Sequence, residues 1–88
     1  MKDNEIERNM KALANKRRLA ILRFLKKRKE ATVGDIAEEI KLSFKSTSRH
    51  LSVLFSADIL EREQKSLQVF YRIADGTSES AHRILSLL

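Results

Sequence analysis

The chain has no cysteine, and its 88 residues include two histidines and two glycines. Without cysteine there is no disulfide framework, no thiol nucleophile and no thiolate metal site. Gly34 and Gly76 stand alone, so no glycine-rich loop cradles a phosphate. No cluster of carboxylates falls within an apolar stretch, and with only His50 and His82 for proton transfer, neither an enzyme nor a cofactor is expected. Apolar runs extend over a few residues at most, so no membrane span is expected. The opening segment MKDNEIERN is too charged for a signal peptide, which makes the cytoplasm the expected location.

What the chain does have is positive charge. Eighteen Lys and Arg against twelve Asp and Glu give a net charge of +6, which favours a polyanionic partner. The excess is uneven. Ten basic residues and no acid lie between Arg8 and Lys29, and four acids with no base lie between Glu30 and Glu39. Such blocks commonly form solvated helix faces. At this length one domain covering residues 1–88 is expected, and a chain so short hides only about 60–65% of its unfolded surface, so dimerisation would help it.

The most informative stretch is residues 32–56. Val33, Ile36, Ala37 and Ile40 recur at helical spacing, and Thr32 with Asp35 forms a capping pair at the start. This helix is predicted to end near Lys41. Ser43 then caps a second helix over residues 44–56, with Phe44, Thr47, Leu51 and Leu54 along one side. The opposite side carries Lys45, Ser48, Arg49, Ser52 and Ser56 in one narrow arc, with no acid between Lys41 and Ala57. A short helix followed by one with a cationic, hydroxyl-rich outer face suits a helix-turn-helix entering a DNA major groove.

Upstream, Asp3 or Asn4 is expected to cap a helix over residues 5–14, and Asn15 a central helix over residues 16–29. Downstream, ILEREQ and QVFYRI flank Lys65-Ser66-Leu67 and predict a β-hairpin. A terminal helix is predicted over residues 78–88. The expected fold is therefore α+β and mostly α: a winged helix-turn-helix ordered α1-α2-α3-α4-hairpin-α5.

Three stretches together resemble the ArsR-type winged-helix repressors. ALANKRRLAILRFL matches that family's opening pattern, IAEEIKLSFKSTSRHLSVL its helix-turn-helix, and residues 60–73, ending in VFYRI, its wing. The resemblance implies a dimeric repressor on double-stranded DNA, with the first and last helices at the subunit interface and a palindromic operator. Departures accompany the likeness. Thr32 and Gly34 occupy the positions of a metal-binding Cys-x-Cys pair, and only Asp75 and His82 remain for a second known site, so no metal sensing through those sites is expected. Lys41, Asp58 and Ser66 replace glycines common in the family, which predicts altered turns at Lys41 and Asp58.

The expected DNA-binding residues are Thr32, Ser43, Phe44, Lys45, Ser46, Ser48, Arg49, His50, Arg62 and Lys65. Arg49 suits a guanine edge or a phosphate, Lys45 lies one turn earlier, and the Ser43-capped helix start offers amide groups to phosphate. Phe44 is expected to pack beside Leu51 and Phe55, with contact to a thymine methyl as the alternative. His50 points off the cationic face and is expected chiefly to make a supporting hydrogen bond. Glu61 and Glu63 are expected to repel phosphates, leaving Arg62 and Lys65 as the wing's contacts. The expected dimer stripe is Ile6, Met10 and Leu13 with Ala81, Ile84, Leu85 and Leu88. The competing reading is a winged helix used for protein–protein contact without DNA.

Overall fold

A computed structural model describes residues 2–88, which run α1 (Asp3–Leu13), α2 (Lys16–Arg28), β1 (Ala31–Thr32), α3 (Val33–Ile40), α4 (Phe44–Ser56), β2 (Leu60–Lys65), β3 (Gln68–Ile73) and α5 (Glu79–Leu85). Four of the helices begin on a side-chain oxygen. Asn15 Oδ1 accepts from the amides of Arg17 and Arg18 at 2.9 and 3.1 Å. The hydroxyls of Thr32, Ser43 and Ser78 accept from Asp35, Ser46 and Ala81 at 3.2, 3.1 and 3.3 Å. Each cap satisfies amides that the first helical turn leaves without a carbonyl. The Asp35 carboxylate does not complete a capping box, since Arg28 holds it at 3.1 Å. The first helix departs from expectation: it starts at Asp3, two residues early, and no side chain caps it. Asp3 and Glu5 in its first turn suit the positive end of the helix dipole instead.

The core is built around α2. Ile21, Leu22 and Leu25 are buried there and meet Ile36 of α3, Leu51 and Leu54 of α4, Ile59 and Leu60 at the wing's root, and Ala81 of α5. Burying each Leu or Ile stabilises the fold by roughly 1.5–3 kcal/mol at most. Asn9 and Thr47 are the buried polar residues among those described. The Asn9 amide donates to the Ser78 and Ser80 hydroxyls, pinning α1 to the start of α5.

Lys41, Asp58 and Ser66 adopt φ of 56°, 61° and 60°, the left-handed region that favours glycine. The predicted alteration of the first two turns is therefore not found. The Leu42 amide reaches the Ala37 carbonyl and the Ile59 amide the Leu54 carbonyl, both at 3.0 Å, closing each helix in the way a C-terminal glycine allows. Burial of Ile59 and these closing bonds outweigh a conformational cost of about 1–2 kcal/mol per residue. Lys29 closes α2 with φ of 78°, a turn not foreseen.

The hairpin pairs Leu60 with Ile73 through to Lys65 with Gln68, leaving Ser66-Leu67 as a two-residue turn, one residue shorter than expected. The unanticipated strand β1 pairs Ala31 with Tyr71 and Thr32 with Phe70. The sheet order is thus β1-β3-β2, with β3 in the middle and β2 at an open edge. The expected last helix is real but shorter, ending at Leu85.

Candidate nucleic-acid interface

The α4 helix is two-sided. Thr47, Leu51 and Leu54 are buried, while Lys45, Arg49, Ser52 and Ser56 are exposed and Ser48 is half-buried beside them. Among the described residues neither Lys45 nor Arg49 has an ion-pair partner. These two cations lie one helical turn apart on an outward face. Ser43 is exposed at the helix start, with Ser46 half-buried in the first turn. Thr32 sits at the start of α3, its hydroxyl engaged as a cap.

Phe44 departs from the packing expected of it. It is 63% exposed and lines an open cleft with Thr32, Gly34, Arg62, Val69 and Tyr71. The reason is its place in the first turn of α4, where the helix projects past the core that covers Thr47 and Leu51. His50 is half-buried, with Nδ1 3.1 Å from an Arg18 guanidinium nitrogen. Burial first, then the charges of Arg18 and Arg17, hold its pKa below the ordinary histidine value. A guanidinium can only donate, so Nδ1 serves as the acceptor and the ring is turned toward α2.

The wing differs most from its sequence reading. Arg72 lies between Glu61 and Glu63 at 2.8 and 3.0 Å, so both acids are partly neutralised on their own sheet face. These two hydrogen bonds raise the arginine's pKa further. Lys65 is engaged by Glu30 at 2.6 Å and lies 5.3 Å from the Phe70 ring centre. The Arg62 guanidinium stacks 4.0 Å from the centre of the Phe55 ring, which joins the wing to α4. Residues that the sequence did not single out complete the cleft: Gln64, Gln68 and Val69 line it beside Phe44. Leu67 at the hairpin tip is 95% exposed. Strand alternation from Tyr71 could have placed Val69 on this face, but not the position of α4 opposite.

The expected dimer stripe divides in two. Leu13, Ala81 and Leu85 are 3%, 0% and 6% exposed, spent inside the protomer core where α1 meets α5, and so are corrected out of any outward face. Of the rest of the stripe Met10 is open at 40%, and Ile6, Ile84 and Leu88 are half-buried; Leu87, which the stripe did not include, is 82% exposed. A metal of the family's kind does not fit the positions known for it. Thr32 Oγ1 is occupied as a helix cap, and Gly34 offers no ligand. Asp75 and His82 border one hollow, yet no group of three or more His, Cys, Asp or Glu converges among the described residues.

With this geometry in place, the likeness to known proteins is specific. The sequence model described as "Bacterial regulatory protein, arsR family" matches residues 15–62, from the α2 cap into the wing. The arsenical resistance operon repressor of Bacillus subtilis (strain 168) is 32% identical over 69 residues, which cover 78% of this chain and 66% of that protein, just under two thirds of its length. A homodimeric winged helix-turn-helix DNA-binding domain from Mycobacterium bovis superposes with a TM-score of 0.81 at 33% identity, covering 96% of this chain and 74% of that one. HlyU from Vibrio cholerae N16961 superposes with a TM-score of 0.81 at 29% identity, covering 99% and 92% of the two chains. The chain belongs to the arsR family of bacterial regulatory proteins.

Proposed function

We propose that the chain is a homodimeric transcriptional repressor of the cytoplasm that reads a palindromic operator in double-stranded DNA. The observation that carries this is the pair Lys45 and Arg49, exposed on one face of α4 while the opposite face locks the helix into the core. Arg49 is suited to donate to guanine O6 and N7, and Lys45 to a phosphate or a base edge. Thr32, Ser43, Ser46 and Ser48 supply short polar contacts at the two helix starts. Phe44, with Arg62 and the glutamines of the cleft, faces the groove wall, while Lys65 would first have to leave Glu30. A repressor from Bacillus subtilis and a homodimeric DNA-binding domain from Mycobacterium bovis among the relatives support the same reading. Two-fold symmetry would set the recognition helices about 34 Å apart, one turn of DNA.

Selection of bound fragments from a random duplex pool tests the proposal. Two half-sites centred about 10 base pairs apart are expected. Affinity should fall by about 10³–10⁵ between 50 and 200 mM salt, as released counterions require. Arg49→Ala should cost about 1–3 kcal/mol per half-site and leave thermal unfolding unchanged. Failure to bind duplex even at low salt would favour the protein–protein reading. No inducing metal is proposed at the family's known positions, and zinc or arsenite should leave operator affinity unaltered.

A further inference from the structure

A third of the eighteen basic side chains are paired with acids. Among the described residues Arg8, Lys11, Arg28, Lys65, Arg72 and Arg83 each have a carboxylate partner. Lys16, Arg17, Arg23 and Lys27 of α2 have none, although Glu39 stands close by. These four surround a single hollow between α2, the end of α3 and the carboxy-terminus. Its floor is apolar: Ala20, Phe24, Ile40 and Leu88, each half-buried. Lys26 also borders it, but its ammonium donates to the Leu85 carbonyl at 3.0 Å. The hollow measures about 810 Å³, within the range of about 300–1,000 Å³ usual for small-molecule sites.

We infer that this hollow binds a small amphipathic carboxylate, a medium-chain or aromatic acid whose apolar body covers Phe24, Ile40 and Leu88 while its anionic head meets the guanidinium of Arg23 and the ammonium of Lys27. Charge complementarity selects the head group, since five Lys or Arg line the hollow and Glu39 is the one acidic side chain among the described residues there. The apolar floor selects the body. Inorganic phosphate or a nucleic-acid backbone would satisfy the cations but leave Phe24 and Ile40 facing water, and a neutral hydrocarbon would leave the cations uncompensated. Arginine recognises a carboxylate through two parallel N–H groups, so Arg23 is the residue expected to set head-group geometry.

Calorimetric titration of the DNA-free protein with sodium decanoate tests the inference. One saturable site per protomer is expected, with decylammonium binding far more weakly. The double variant Arg23→Glu/Lys27→Glu should lose at least about tenfold in affinity, as expected when charge-assisted contacts are reversed. Both side chains are exposed and Lys27 lies in the last turn of α2, so its melting temperature should fall only slightly, and Lys45→Glu should bind decanoate normally. Absence of saturation would overturn the inference, as would equal affinity for decylammonium or an unaffected double variant. So would decanoate indifference combined with weakened duplex binding in the double variant, because the four cations would then serve DNA. No DNA enters the titration, so this site and the operator reading can fail separately.

Discussion

Arg18 occupies an unusual position for a charged residue, reaching three partners at once. Its guanidinium donates to the carbonyls of Ala12 and Lys11 at the end of α1, at 2.6 and 3.2 Å, and to His50 of α4 at 3.1 Å. A cation at the carbonyl end of α1 is favourable to that helix, and the price is a neighbouring histidine that resists protonation. Because the folded pKa of His50 lies below its unfolded value, the unfolded chain takes the proton first as the solution is acidified. Stability should therefore be constant above about pH 7.5 and decline as pH falls below about 6.5, the ordinary histidine value. Melting temperature against pH should show this decline in the parent and lose most of it in His50→Gln. A second residue-level prediction concerns Thr47, wholly buried with an Oγ1 that finds no hydrogen-bond partner among the described residues. Thr47→Val removes an unsatisfied hydroxyl at nearly constant volume and should stabilise by about 1 kcal/mol. For a chain of this size that is about 4–8 °C in melting temperature.

Among the elements, helices and their caps were the most legible from sequence, because Asn15, Thr32 and Ser43 each precede a periodic apolar stripe. The residues 44–56 helix and both hairpin strands were read nearly to their ends. Strand β1 was invisible because two residues carry no alternation, and its partner Tyr71 lies forty residues away along the chain. Phe44 was misplaced because helical spacing assigns a face but not how far the core extends beneath it. Two of the wing's contacts were also beyond reach, since the Lys65–Glu30 ion pair and the stacking of Arg62 on Phe55 join segments that only the fold brings together. The turn at Lys41 yields an element-level test. Lys41→Gly should relieve left-handed strain at the helix-turn-helix break, partly offset by the greater chain entropy of glycine. A net gain of about 0.5–1 kcal/mol is expected, measured by denaturant unfolding. The same change at Asp58 should help less, because Asp tolerates this conformation better and pairs with Arg8 at 3.2 Å.

At the scale of the molecule, the excess of positive charge, its basic block over residues 8–29 and the cationic face of α4 were legible in the sequence, while the gathering of four α2 cations around one hollow was not. The proposed dimer surface on the first and last helices was only partly legible. Periodicity marks Leu13 and Leu85 as apolar on the right helices, but only packing shows that the protomer itself consumes them. Met10 is the expected stripe's open member and Leu87, outside that stripe, is exposed as well, so the double variant Met10→Glu/Leu87→Glu should sediment as a folded monomer with weakened operator binding. An intact dimer would place the subunit contact elsewhere. Finally, β2 forms the outer margin of the sheet, with one row of its amides and carbonyls unclaimed by any neighbouring strand. Such a margin invites another molecule to zip on, yet the strand reads LEREQK, with charged side chains of both signs along it. Crowding many copies onto adjacent binding sites should therefore leave them as discrete pairs rather than joined ribbons.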